Sequence, residues 1–239
     1  MTSLASDSAM ILAAGIGKRM RPLTATQPKP LVRVAGRPLI DHCLDKLAEA
    51  GVARAVVNVH YLADALEAHL KTRKKPPQTE ISDERDQLLE TGGGMVKAAG
   101  LLPDPFFCIN SDNLWLDGPR DVFAELSAAW DANRMDALLL LVPHARAMNY
   151  RGEGDFHLDG WGRVTRRKPG RIAPFIYSGV QLVSHRLLRD APEGAFSTNV
   201  LWQRAIEEER LYGISHNGVW FEVGEPGAIA PTEEFLARG

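Results

Sequence analysis

The chain has 239 residues, 45% of them hydrophobic and 24% charged, with a formal net charge of −2. This length and composition suit one α/β domain with a sizeable core, and a charge so close to neutral argues against a nucleic-acid partner. No apolar run approaches the roughly 20 residues of a membrane span, and residues 1–8 lack the apolar core of a signal peptide, so the expectation is a cytoplasmic protein with no membrane partner.

In chain order, Met10 to Ala14 predicts a short apolar strand running into a loop with Gly15 and Gly17. Four basic side chains follow: Lys18, Arg19, Arg21 and Lys29. Glycines let backbone N–H groups approach an anion, and Arg and Lys neutralise its charge, so the segment suits a nucleoside triphosphate. It is not a Walker A loop, because Gly17-Lys18 is followed by Arg19 rather than Ser or Thr. It is no dinucleotide fingerprint either: Met20 stands where a third glycine would open a helix, and Pro22 limits any helix there.

Leu39, Ile40, Cys43, Leu44 and Leu47 form one apolar helix face, stopped at Gly51. Ala55 to Val59 reads as a buried strand. Leu62, Leu66 and Leu70 predict a second amphipathic helix, ending in the basic run Lys71 to Lys75 and closed by Pro76-Pro77. That run reads as a solvated helix end. A helix over Met95 to Leu102 follows the triplet Gly92-Gly93-Gly94, then come a strand over Phe106 to Ile109, a helix over Val122 to Ala132 and a strand over Ala137 to Val142. Cys43 and Cys108 lie in apolar stretches and read as core thiols of a reducing compartment. Near-continuous apolar strands separated by helices predict a Rossmann-like, mostly parallel central sheet covered on both faces. Ligands bind beyond the carboxyl ends of such strands, where the Gly15 loop, the Gly92 segment and Asp112 fall.

The texture then changes. Asp155 to Arg167 reads as a hairpin around Asp159-Gly160, Phe175 to Val183 as a strand and Thr198 to Glu209 as a helix. Leu211 to Val223 reads as a hairpin around Asn217-Gly218, and a last helix starts at Pro226. The expectation is a single domain, with a nucleotide-binding half over about 9–142 and a smaller, β-rich acceptor-binding half over about 143–239.

The pattern Gly15-x-Gly17-x-Arg19-x-x-Pro22, with the pair Pro28-Lys29 downstream, resembles the sugar-phosphate nucleotidyltransferases. The resemblance runs from Met10 to the last helix and implies their GT-A-like fold. It implies that Ala13, Ala14, Gly15, Gly17 and Lys18 bind a nucleotide, with Arg19 and Lys29 on its phosphates. In Ile109-Asn-Ser-Asp-Asn113 it implies Asp112 as a magnesium ligand and Asn110 as an acceptor contact, with Ser111 where the family usually has Gly. An Asx turn is the plain alternative for Asp112. Glu222, in Trp220-Phe-Glu-Val-Gly224, stands where the family more often has a second metal-binding Asp. Its extra methylene must be accommodated, because magnesium demands near-octahedral geometry at ~2.0–2.1 Å.

Glu90, Thr91, Gly92 and Gly93 fall where the family reads base and ribose, and the run Leu89-Glu-Thr-Gly-Gly-Gly94 resembles uridylyltransferases that act on N-acetylmuramate 1-phosphate. A helix-entry loop is the alternative. Arg167-Lys168-Pro169 stands where many relatives have Glu-Lys-Pro, which implies Lys168 on the acceptor phosphate; a hairpin-edge lysine is the alternative. Ser178 and Gly179 match a sugar-contacting step, and Asn199 is either a sugar contact or a helix cap.

The implied reaction uses magnesium as cofactor, UTP and N-acetylmuramate 1-phosphate as partners, and Arg19, Lys29 and Asp112 as catalytic residues. Because Asn110-Ser-Asp112 also resembles mannose-1-phosphate guanylyltransferases, GTP with mannose 1-phosphate or a heptose phosphate stays open. A non-catalytic nucleotide-sugar sensor is a second class of reading, motivated by Ser111, Arg167 and Glu222. The seven histidines are scattered without metal-ligand spacing. The oligomeric state is left open.

Overall fold

The computed structural model describes residues 3–238. Strand β1 (Ser8–Leu12) lies at the centre of the main sheet, paired in parallel with β4 (Arg54–Val59) on one side and β6 (Phe106–Asn110) on the other. Between β1 and β4 come the two-residue strands β2 (Arg33–Val34) and β3 (Arg37–Pro38) and helix α1 (Leu39–Ala50). The apolar residues of α1 at 39, 40, 43, 44 and 47 are all fully buried, and Gly51, at φ 91°, ends the helix as its spacing predicts.

Helix α2 (Ala63–Thr72) leads into β5 (Gln78–Asp83), which extends the sheet alongside β4. Sequence reasoning passes over β5 because an edge strand in contact with solvent carries mixed polar residues instead of an apolar run. Arg73, beyond α2, is not simply solvated: its Nη2 donates to Asp45 Oδ1 of α1 at 2.6 Å.

After β6 come β7 (Asn113–Leu116), helix α4 (Val122–Ala129) and β8 (Ala137–Pro143), with α3 (Glu90–Ala98) before β6. Then follow β9 (Ala147–Met148), the antiparallel pair β10 (Phe156–Leu158) and β11 (Val164–Arg166), and β12 (Phe175–Val183). Helix α5 (Asn199–Glu207), β13 (Leu211–Ser215), β14 (Val219–Glu222) and α6 (Ile229–Leu236) complete the chain. β12 runs antiparallel to both β6 and β8, so one nine-stranded, mostly parallel sheet takes strands from both halves of the sequence.

The continuous apolar runs divide between the two faces by the period of two. Ala9, Ile11, Val57, Phe107, Ile109, Leu138 and Leu140 join α1, α2 and α4 in one core. Met10, Val56, Phe106, Cys108, Leu139 and Leu141 join α3 and α5 in the other. Alternate side chains of each strand are therefore buried on opposite sides. Both cysteines are fully buried free thiols, and burial pushes the Cys108 thiol up to about 12. Among the described residues, no helix is long and apolar enough to cross a membrane.

Two expectations are corrected. Residues 211–223 are not a hairpin: β13 pairs in parallel with β8, whereas β14 joins a separate three-stranded sheet with β7 and β9. Neither Asn217 nor Gly218 has the positive φ of a type I′ turn. The apolar partners on β8 and β7 outweigh the local turn signal. Helix α3 starts at Glu90, so the glycine triplet lies inside it rather than ahead of it. Glycine disfavours a helix in isolation, but here tertiary packing needs its missing Cβ. A Cβ on Gly92 would lie 2.3 Å from the Phe196 ring, one on Gly93 2.3 Å from the Gly194 carbonyl, and one on Gly94 2.9 Å from Asn58 and Glu84.

Candidate active site

The carboxyl ends of β1 and β6 open into a cavity of about 510 Å3. Its floor follows from β1, which ends at Leu12 and leaves Ala13 and Ala14 as the first loop residues. Their N–H groups both point at Asn58 Oδ1, at 2.6 and 3.3 Å. The same Asn58 donates through Nδ2 to Glu84 Oε1 (2.7 Å), and Glu84 Oε2 accepts the Leu89 N–H (3.1 Å) ahead of α3. A carboxylate that is 1% exposed thus ties the two loops of the cavity together. Sequence reasoning missed both residues. The signal was Asn58, a polar interruption in the apolar run 55–59.

Gly17 is left-handed (φ 67°), and Thr24 Oγ1 donates to its carbonyl at 2.8 Å. A Cβ there would approach Lys29 Cβ to 2.9 Å, so the turn needs glycine on two counts. It sets Lys18 and Arg19 on a single 3-10 turn, exposed at the cavity wall. Lys29 enters from a second 3-10 turn (Lys29–Leu31), and its Nζ forms a salt bridge with Asp112 Oδ2.

Asp112 lies between β6 and β7. In the small sheet, Glu222 of β14 stands opposite Asn113 of β7. That register sets Glu222 beside Asp112, and both line an adjoining cavity of about 210 Å3 with Asn110, Ser178 and Gly179. Glu222 Oε1 is 3.5 Å from Arg19 Nη1. Ser178 and Gly179 form a bulge in β12, held by Trp220 Nε1, which donates to the Ser178 carbonyl at 2.9 Å. A third cavity, of about 330 Å3, shares Asn110 with both of the others and includes Asn199, Arg166 and Asp155.

The fold therefore brings Ala13, Ala14, Gly15, Gly17, Lys18, Arg19, Lys29, Glu90, Thr91, Asn110 and Asp112 to one cavity. Gly92 and Gly93 are placed otherwise. Their N–H groups donate to the Phe196 carbonyl at 2.8 and 3.2 Å, so these helix-start donors are already occupied. Lys168 is exposed on the loop after β11 and lines none of the three cavities. Asn199 caps nothing with its side chain; its Oδ1 accepts from Arg166 Nη2 at 3.0 Å.

Asp112, Glu222 and the Asn110 amide offer hard oxygen donors on one cavity. Among the described residues, no closed set of three or more His, Cys, Asp or Glu side chains could hold an ion by protein alone. Two carboxylates with open positions suit magnesium, which keeps waters and shares its shell with substrate phosphates.

The sequence model of the nucleotidyl transferase family matches residues 8–238. The chain is 44% identical to the N-acetylmuramate alpha-1-phosphate uridylyltransferase of Caulobacter vibrioides, over 99% of each chain. It is 29% identical to the mannose-1-phosphate guanylyltransferase catalytic subunit beta of Drosophila pseudoobscura pseudoobscura, over 91% of this chain and 59% of that one. Its fold is like that of the inositol-1-phosphate CTP transferase from T. maritima, with a TM-score of 0.76 and 18% identity over 98% of this chain and 96% of that chain.

Proposed function

The chain belongs to the nucleotidyl transferase family, and from that premise we propose that it transfers uridine monophosphate from UTP to N-acetylmuramate 1-phosphate, as a single catalytic domain. The products are UDP-N-acetylmuramate and pyrophosphate, a cytoplasmic step in the recycling of cell-wall sugar. The observation that carries this reading is the 44% identity, over 99% of each chain, to an enzyme named for that uridylyl transfer.

An oxygen of the sugar phosphate attacks the α-phosphorus of UTP. The bond from that phosphorus to the α,β-bridging oxygen breaks, and pyrophosphate leaves. The attacking group is already anionic near pH 7, so catalysis is positioning and charge stabilisation rather than proton removal. Backbone at Gly15 to Gly17 cradles the triphosphate, and Arg19 and Lys29 neutralise it and the leaving pyrophosphate. Glu90 and Thr91 face the base end of the same cavity. Asp112 and Glu222 would hold magnesium, which when bound offsets charge on the phosphates. Ser178, Gly179 and Asn110 line the acceptor side.

The test is pyrophosphate release with magnesium, four nucleoside triphosphates and a panel of sugar 1-phosphates. Release with UTP and N-acetylmuramate 1-phosphate alone is the expected result. Release with GTP and mannose 1-phosphate would keep the mechanism and overturn the substrates. Nucleotide-sugar binding without turnover would make the protein a sensor.

A further inference from the structure

The third cavity holds a cation that the mechanism above does not use. Arg166, at the end of β11, is the single Lys or Arg among the residues lining that space. Its Nη2 donates to the carbonyl and to Oδ1 of Asn199, at 3.1 and 3.0 Å, and its guanidinium lies 5.4 Å from the centroid of the Phe156 ring. Its neighbours Arg163 and Arg167 are ion-paired, with Glu209 at 3.1 Å and Glu153 at 2.7 Å. Among the described residues, no carboxylate lies within 4.0 Å of Arg166. Asp155 lines the same cavity, but its Oδ2 accepts the Tyr177 N–H at 2.9 Å. Burial pulls the Arg166 pKa down, opposed by the Asp155 charge. The cation is thus half-buried against a carbonyl, an amide and an aromatic ring, with its Nε and Nη1 donating to no described protein group. Those two donors are open to the cavity, and a guanidinium fork matches a carboxylate in two-point geometry.

Two anionic groups belong to the acceptor proposed above: its phosphate, and the carboxylate of the lactyl ether that distinguishes N-acetylmuramate from N-acetylglucosamine. The phosphate must reach UTP beside Asp112 and Glu222. Neither of those residues lines the third cavity, which meets theirs through Asn110, Asp155 and Tyr177. A sugar ring spanning that junction places its phosphate at one end and its substituent at the other.

We propose that Arg166, steadied by Asn199, binds the lactyl carboxylate of N-acetylmuramate 1-phosphate and selects an acidic N-acetylhexosamine 1-phosphate over a neutral one. The inference rests on the uridylyltransfer reading.

The experiment compares wild type, Arg166→Ala and Arg166→Lys with UTP and either N-acetylmuramate 1-phosphate or N-acetylglucosamine 1-phosphate, each at several concentrations. In Arg166→Ala, kcat/KM for the muramate should fall about 10- to 100-fold while that for the neutral sugar holds, and Arg166→Lys should recover part of the loss. An equal fall with both sugars at unchanged Tm would place Arg166 on the phosphate and overturn the proposal. Equal falls with a lowered Tm would make it structural and overturn it too. Unchanged discrimination would show that the carboxylate is read elsewhere. The wild-type arm separates this from the functional reading, since a wild type inactive with UTP and the muramate defeats that reading without reference to any variant.

Discussion

Lys29 and Asp112, 83 residues apart in the chain, form a salt bridge at the floor of the nucleotide cavity. The lysine side chain is only 14% exposed, so the pair keeps each charge compensated. In the proposed reaction a bound triphosphate would exchange the partners, drawing the lysine to phosphate and freeing the carboxylate to hold magnesium. Arg19 and Glu222, 3.5 Å apart, repeat the arrangement at the rim. Lys29→Ala should therefore lower kcat/KM about 100- to 1,000-fold by steady-state pyrophosphate release, and an unchanged value would remove Lys29 from the reaction.

Metal dependence should follow the two carboxylates. Chelation with EDTA should stop turnover, and added magnesium should restore it. Glu222→Gln should reduce turnover about 100-fold and raise the magnesium concentration needed for half-maximal rate. Glu222→Asp, which keeps the charge on a shorter arm, should retain more activity than Glu222→Gln. A magnesium titration that is the same for all three proteins would show that Glu222 is no ligand.

The glycine triplet gives a prediction about stability. Gly93→Ala places a Cβ 2.3 Å from the Gly194 carbonyl, where backbone must move. The cost of such overpacking is about 1–3 kcal/mol, or a fall in Tm of about 2–4 °C for each kcal/mol in a chain of this size. Gly100→Ala, with nothing within 4 Å of its added Cβ, should leave Tm level or slightly higher. Calorimetry on the two variants checks the contrast.

The buried Glu84 links stability to the site. Glu84→Ala leaves Asn58 Nδ2 and the Leu89 N–H without their partner, at about 1–3 kcal/mol for each unsatisfied group. Because Asn58 also holds the Ala13 and Ala14 N–H groups, the KM for UTP should rise more than the KM for the sugar. A urea melt and two substrate titrations read both effects, and equal changes in the two KM values would uncouple Glu84 from the loop.

His216 should make the protein acid-sensitive. It is 1% exposed, and burial lowers its pKa from 6.5. The unfolded chain takes up a proton near pH 6.5 while the folded state resists it. The stabilisation is therefore present above pH 6.5 and lost as pH falls toward the folded value, with a slope of at most about 1.4 kcal/mol per pH unit. Urea melts between pH 7.5 and 5.5 should show a shallower pH slope in His216→Gln than in wild type.

Local chemistry made much of this legible in the chain. Near-continuous apolar runs and the stripe 39–47 predict the central strands and α1, because a strand covered on both faces is apolar throughout and helical spacing expresses which side chains reach the core. The residue types of the 13–29 loop announce an anion site, since few other purposes need two glycines and several cations so close together. Contacts between distant segments lie beyond such local patterns. The 211–223 hairpin fails because strand partners are chosen by the whole apolar surface, not by the turn between them. Glu222 lines the same cavity as Asp112 only through the register of β14 on β7, the triplet in α3 must be glycine because Phe196 and Gly194 leave no room for a Cβ, and Arg166 rather than Lys168 lines the third cavity because β11 ends at Arg166 and Lys168 lies in the exposed loop beyond it. Local propensity is encoded residue by residue, whereas the meeting of two loops is set by the free energy of the packed whole, which no single segment carries.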